Sequence, residues 1–217
     1  MLFRLGKLFA ASVAAPDGEI GRVTDVYFDE QRWTVRYLVV DTEDWPTGGR
    51  VLIASNSVRG IDWDRNLVRT ELTRFQIGAS PNIDPHSPAG PLCPLGNARG
   101  GHGKAQMGAQ LRSLKDVAGY QLLTSYDCVG RVEDFILDNA SWTIRYFVID
   151  TNNWLPGRHV VIPPQWSRGV DWMERLVNVE ISRSSVQTAP EYHSALALSR
   201  LHETNLYSHY QRPGYWQ

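Results

Sequence analysis

The sequence predicts a mainly β protein made of two tandem small β-barrels, a Pro/Gly-rich linker between them and a short C-terminal helix. Three observations support this fold class. Most of the chain is present twice, each copy holds short runs rich in β-branched and aromatic residues, and no long helical pattern separates these runs. Roughly four to six short strands in about 75 residues are typical of a closed or nearly closed barrel, which leaves few exposed sheet edges.

Composition and charge favour an ordinary globular protein and make some classes of partner less favourable than others. The chain has 217 residues, of which 42% are hydrophobic and 21% charged, as in ordinary globular proteins. A net charge of −1 provides no basic field for a phosphate backbone, so nucleic acid is disfavoured as a partner. No apolar run reaches the ~20 residues of a membrane helix. Cys93 and Cys128 have no metal-like spacing, and we expect reduced thiols in a cytoplasmic protein.

The strongest feature of the sequence is an internal repeat. Gly21 and Gly130, which are 109 positions apart, each open a Gly-Arg-Val-x-Asp string. The same spacing, without a gap, relates the further matching runs of the two copies: 33–37 with 142–146, 41–42 with 150–151, and 59–63 with 168–172. Agreement over this length at one fixed spacing indicates a duplication.

The duplication sets the predicted domain boundaries. The first repeat is expected at 1–77 and the second at 111–187, with a linker at 78–110 and a tail at 188–217. The linker is rich in proline in its first part and in glycine in its second part, a composition that combines extended and flexible backbone.

The opening segment, Met1 to Ala15, has two interpretations. Basic residues precede an apolar run that ends in small residues, as in a signal peptide. Alternatively, it supplies the first strand of the first repeat, because the matching stretch from Leu114 to Val129 opens the second. We favour the strand.

Within each repeat the pattern indicates strands and tight turns. Residues 23–28 alternate between two faces, and 35–40 are a β-branched and aromatic run expected to form a central strand. A short apolar strand follows at 51–53. Residues 60–63 and 67–72 flank an Asp-Arg-Asn turn and predict a hairpin, with counterparts in the second repeat.

The tail differs from the repeats. Residues 194–210 predict an amphipathic helix whose apolar side chains are Leu196, Leu198, Leu201, Leu206 and Tyr210. The closing segment, Arg212 to Trp216, is strongly aromatic, and we expect it to pack against the protein.

Two strings carry a family resemblance. Gly-Arg-Val-x-Asp, followed by Trp-Thr-x-Arg-Tyr-x-Val-x-Asp-Thr, resembles the PRC-barrel, a domain named for the cytoplasmic part of the photosynthetic reaction centre H subunit and present also in the ribosome maturation factor RimM. Residues 153–158 and 162–166 resemble stand-alone bacterial members of that family. The resemblance covers nearly all of the chain outside the linker and implies two tandem PRC-like barrels.

The function implied by the resemblance is a non-enzymatic protein-binding or assembly module, associated with a membrane photosynthetic or electron-transport complex. One alternative is an RNA- or ribosome-associated factor like RimM, which the near-zero charge disfavours. Another is a small-ligand binder or enzyme at the cleft between the repeats. No catalytic signature, cofactor motif or metal-ligand spacing occurs, so we expect no enzyme activity and no cofactor. Homo-oligomerisation is left open.

The candidate partner contacts are Trp166, Trp154 and Trp45. Trp45 and Trp154 occupy a repeated position, where tryptophans either anchor a partner or close the end of a barrel. Trp166 has Ser57 as its counterpart, so it is the best candidate for a contact beyond its own module. Packing of Trp166 against the C-terminal tail is the alternative.

Overall fold

A computed structural model describes residues 1–42, 49–79, 111–124, 127–151, 157–193 and 198–216. Within these ranges the chain is mainly β and has a short helix near its end, which confirms these two parts of the predicted fold class. None of the helices described is long and apolar enough to cross a membrane.

The first half of the chain forms seven strands and one α-helix among the described residues. In chain order these are β1 Leu2–Arg4, β2 Ser12–Ala15, β3 Gly18–Asp29, β4 Thr34–Asp41, β5 Arg50–Ala54, β6 Val58–Asp62, β7 Leu67–Thr70 and α1 Arg74–Gly78. Thr73 caps α1: its hydroxyl accepts from the Gln76 amide, and the Gln76 side chain accepts from the Thr73 amide.

The second half forms seven further strands and three α-helices within the described ranges. They are β8 Leu111–Ser113, α2 Leu114–Val117, β9 Gln121–Leu123, β10 Cys128–Asp138, β11 Thr143–Asp150, β12 His159–Ile162, β13 Ser167–Asp171, β14 Leu176–Val179, α3 Arg183–Gln187 and α4 Arg200–His209. The bounds of β11, β13, β14 and α3 are those of β4, β6, β7 and α1 shifted by 109 positions. The duplication therefore extends from sequence to secondary structure.

The chain divides into two compact units. The first unit is Lys7–Lys115, and its strands pair in the order β5-β4-β3-β2-β7-β6, with β8 also on β3. The second unit is Met1–Gly6 together with Asp116–Gln217, in the order β12-β11-β10-β9-β14-β13, with β1 also on β10. Neighbours are antiparallel except β2 with β7 and β9 with β14, which are parallel. Closure of either sheet into a barrel stays a prediction.

The units do not follow the predicted boundaries at two short segments. Residues 1–6 belong to the unit of the second repeat, and 111–115 belong to the unit of the first. The opening segment does form strands, β1 and β2, but β1 is paired with β10 rather than with the first repeat.

A repeated β-bulge explains the Gly-Arg-Val-x-Asp string. In both repeats the register shifts within the string, between Val23 and Asp25 and between Val132 and Asp134. Just before the bulge, Gly21 has φ +156° and lies so close to β4 that a Cβ there would be 1.8 Å from the Asp41 carbonyl oxygen. Only glycine tolerates both this backbone angle and this approach.

The bulge also changes which side chains enter the core. Simple alternation along β3 would put Val23 on the face opposite Val26 and Phe28, yet all three are fully buried. The extra residue at the bulge shifts the pleat by one position, so both sets of apolar side chains point inward.

Candidate functional site

The three predicted contact residues have different outcomes. Trp45 and Trp154 lie outside the described residues. Trp166 ends a 3-10 helix, Pro164–Trp166, and is 6% exposed. Its ring packs edge-on against Tyr207 at 5.3 Å and Tyr210 at 4.8 Å between centroids.

Trp166 is thus covered by its own chain, as the tail-packing alternative describes. The Arg212 guanidinium lies 5.0 Å from the centre of the Trp166 ring, within the range of a cation–π contact. A partner contact by Trp166 stays a prediction, and any such partner would first have to displace α4.

Ser199 caps the amino terminus of helix α4, and its hydroxyl accepts from the His202 amide. The predicted helical face is wrong at Leu201, which is 72% exposed. The buried residues of α4 are Glu203, Leu206 and Tyr207. Glu203 can face the protein because Tyr146 of β11, Tyr215 of the closing segment and Arg200 of α4 satisfy its carboxylate there.

Glu203 is the centre of the contact between α4 and the second repeat. It is 2% exposed, and its Oε1 accepts from the Tyr146 hydroxyl at 2.6 Å and from the Tyr215 hydroxyl at 2.9 Å. Its Oε2 is 3.0 Å from Arg200 Nη1. A buried carboxylate is costly unless it is paired and hydrogen-bonded, and here both conditions hold. Arg145, Tyr146 and Trp166 are the residues of the second repeat that contact the tail.

The phenols around Glu203 are held neutral. Burial, and then donation of its proton to Glu203, raises the pKa of Tyr146 far above the usual value for tyrosine. Burial likewise raises the pKa of Tyr207 to about 12. Both hydroxyls therefore remain protonated throughout the physiological pH range, and Tyr146 can donate to Glu203 at any such pH.

Arginine side chains complete the seat of the tail. Arg145 lies 4.1 Å from the centre of the Tyr215 ring, and Arg200 lies 4.3 Å from that of Trp216. The aromatic closing segment therefore packs down between arginines, as the sequence predicts. No sequence pattern identified Glu203 as a buried residue. The aromatic residues of the tail were the only sequence feature that indicated packing at this place.

In the first repeat, no described helix covers the equivalent strand position. Tyr37, the counterpart of Tyr146, is half-buried, and no residue within the described ranges accepts a hydrogen bond from its hydroxyl. Arg36 pairs with Asp29 at 3.1 Å, as its counterpart Arg145 pairs with Asp138 at 3.6 Å. Ser57, in place of Trp166, bonds instead to the Ala54 carbonyl at 2.7 Å.

The repeated carboxylates Asp62 and Asp171 accept hydrogen bonds from backbone amides of the hairpin turns. Asp171 accepts from the Met173 and Glu174 amides, both at 3.0 Å, and Asp62 accepts from the Arg65 amide at 3.2 Å. No group of three or more His, Cys, Asp or Glu that could hold a metal occurs among the described residues.

Two clefts lie within the second unit. One, of about 410 Å³, follows the β13–β14 hairpin beside Trp172 and the 92% exposed Met173. The other, of about 250 Å³, lies between the amino terminus and Glu203. Its charges are paired within the chain, because the Met1 ammonium is 3.5 Å from Asp138 and Glu203 is bound to Arg200.

Comparison with known proteins adds no relative: neither a protein-family model nor a curated protein sequence matches this chain.

Proposed function

We propose that this protein is a non-enzymatic protein-binding or assembly module, and that the Tyr37 face of its first repeat receives an amphipathic helix of a partner protein. One observation carries the proposal. Equivalent tyrosines occupy the same strand position in both repeats, but Tyr146 is fully buried beneath α4, while Tyr37 is half-buried and its hydroxyl has no hydrogen-bond partner among the described residues.

The contacts of α4 define the chemistry expected of the partner. A carboxylate on the partner helix would accept from the Tyr37 hydroxyl, as Glu203 does from Tyr146. The small Ser57, in place of Trp166, would leave the partner to supply the large aromatic side chain. This is recognition of a helix by a groove, with anchors spaced three or four residues apart.

The resemblance to PRC-barrels suggests where such a partner would be found. By that analogy, the helix would belong to a membrane photosynthetic or electron-transport complex. A RimM-like role on RNA and a ligand site between the repeats stay predictions, since no observation on the described residues favours either.

The test replaces Tyr37 with the photo-crosslinking residue p-benzoylphenylalanine in the full chain, expressed in its native host. The matched control carries the same residue at Phe75, which is 85% exposed and lies in the same unit. We expect an adduct at position 37 that exceeds the control, and its crosslinked peptide should be helical and acidic.

A synthetic peptide covering residues 198–216 should compete with that adduct, and the same peptide with Glu203→Gln should compete less well. Crosslinking only to residues 80–110 of the same chain would contradict the proposal, as would an adduct no stronger than the control.

A further inference from the structure

The two short segments that leave their own repeats are equivalent to one another. β1 and β8 have the same bounds after a shift of 109 positions. β1 pairs with β10 of the second repeat through Leu2–Asp138, Phe3–Leu137 and Arg4–Ile136. β8 pairs with β3 of the first repeat through Leu111–Asp29, Arg112–Phe28 and Ser113–Tyr27. Each repeat thus gives its opening strand to the other and receives the equivalent strand in return.

One carboxylate in each repeat anchors the strand that it receives. Asp134 accepts from Arg4 Nε at 2.6 Å and from the Gly6 amide at 3.0 Å. Asp25 accepts from the Ser113 hydroxyl at 2.6 Å and from the Lys115 amide at 3.4 Å. These aspartates are the repeated acids of the Gly-Arg-Val-x-Asp strings, and Gly6 and Lys115 are equivalent positions.

Apolar side chains bury the received strands. Phe3 and Leu5 from the opening segment are buried, and so are Leu111 and Leu114 from the segment that enters the first repeat. Leu114 is the counterpart of Leu5. Polar contacts at the strand ends add to this: the Met1 ammonium donates to Asn139 Oδ1 at 2.9 Å, and Arg112 Nε donates to Glu30 at 2.7 Å.

We propose that the opening strand is an interaction element whose partner is another repeat of this kind. A repeat is incomplete alone: it has an acceptor site, formed by its long bulged strand and the anchoring aspartate, that binds the opening strand of a second repeat. Within one chain the two repeats satisfy each other, and a second copy of the chain presents the same element and the same site. This inference stands independently of the proposed function.

The first experiment asks whether the halves hold together without the linker. A protease site is inserted between residues 96 and 103 of the full chain, with Cys93 and Cys128 changed to serine and any tag placed at the C-terminus to keep Met1 free. After cleavage, we expect the halves to elute together at the size of the intact chain. Elution as two separate folded halves would overturn the proposal.

A disulfide then tests whether the strands are the element that joins the halves. Leu2→Cys with Asp138→Cys places one cysteine in each half on directly opposite strand positions. Oxidation followed by cleavage should give one band without reductant and two with it. Halves that elute together but do not form this disulfide would show that the exchange is absent.

Two variants separate the anchor from general surface effects. Arg4→Ala removes the donor to the buried Asp134 and should weaken association of the cleaved halves about tenfold, the value of one hydrogen bond to a charged group. Arg59→Ala is the control, because Arg59 is exposed and pairs with Glu71 inside the first unit. Equal affinities in both variants would contradict the role of Asp134.

Finally, two differently tagged cysteine-pair proteins are cleaved, unfolded together and refolded. If the site accepts the opening strand of a second copy, halves with different tags should be joined by the disulfide between positions 2 and 138. Their share should be close to that expected from random pairing. Recovery of same-tag pairs alone would exclude the second copy as a partner.

Discussion

The two repeats have retained a common strand framework while their surfaces have diverged. The Asp29–Arg36 pair of the first repeat recurs as Asp138–Arg145 in the second. The surface beside these pairs differs, because α4 covers Trp166 and Tyr146, whereas Tyr37 is only half-buried and the small Ser57 stands in place of Trp166. Duplication preserved the contacts that build the sheet, while the surface of the second repeat became a seat for the tail of its own chain.

The largest effect should come from Trp166→Ala. Trp166 is almost fully buried against Tyr207 and Tyr210, so truncation should lower the free energy of unfolding by about 3–5 kcal/mol. Ser57→Ala at the equivalent position removes one hydrogen bond and should cost about 1 kcal/mol. Urea unfolding of both variants measures the difference; equal losses would mean that the two faces are not distinct.

A smaller difference is expected between Tyr146→Phe and Tyr37→Phe. The first removes a donor from the buried Glu203 and should cost about 2 kcal/mol, as for other hydrogen bonds to charged groups. The second removes a hydroxyl without a partner in the described ranges and should stay within about 0.5 kcal/mol of the parent. Thermal unfolding should rank the two; a loss at Tyr37 as large as that at Tyr146 would reveal a cover on the first repeat.

The smallest effect concerns pH and the anchoring aspartate of the first repeat. Burial raises the pKa of Asp25, against the hydrogen bonds from Ser113 and Val26. The folded protein therefore holds this proton more tightly than the unfolded chain, and the free energy of unfolding falls as pH rises from about 4 through the folded-state pKa. Asp25→Asn should remove that slope in denaturation series from acidic to neutral pH. An unchanged slope would assign it to another group.

The sequence predicted the features that depend on local pattern. The duplication, the strands, the hairpins and the short helix at the end of the chain follow from residue spacing and turn chemistry, and α4 occupies residues 200–209 of the predicted 194–210. The need for glycine at position 21 becomes clear only once the close approach of β3 to Asp41 of β4 is known.

The features that depend on tertiary contact were not predictable. The bulge after Val23 places Val26 and Phe28 on the same side as Val23, and alternation alone gives the opposite result. Glu203 is buried and Leu201 exposed because two phenols and an arginine satisfy the carboxylate, and no pattern within α4 contains that information. The sequence cannot show that β1 and β8 are exchanged between the repeats. The two segments are equivalent, so each is predicted to be an opening strand whether it pairs with its own repeat or with the other one.

The exchange has a consequence for synthesis of the chain on the ribosome. Arg4 and Asp134 are 130 positions apart, and Asp25 and Ser113 are 88 apart. When the first repeat emerges, its own opening strand has no acceptor and its acceptor site has no strand. The sheet of the first unit is completed only when residues 111–115 emerge, after the whole linker, and the opening strand finds its acceptor only when β10 has been translated. The nascent first repeat therefore presents an unpaired sheet edge while the linker is made, when aggregation competes with folding.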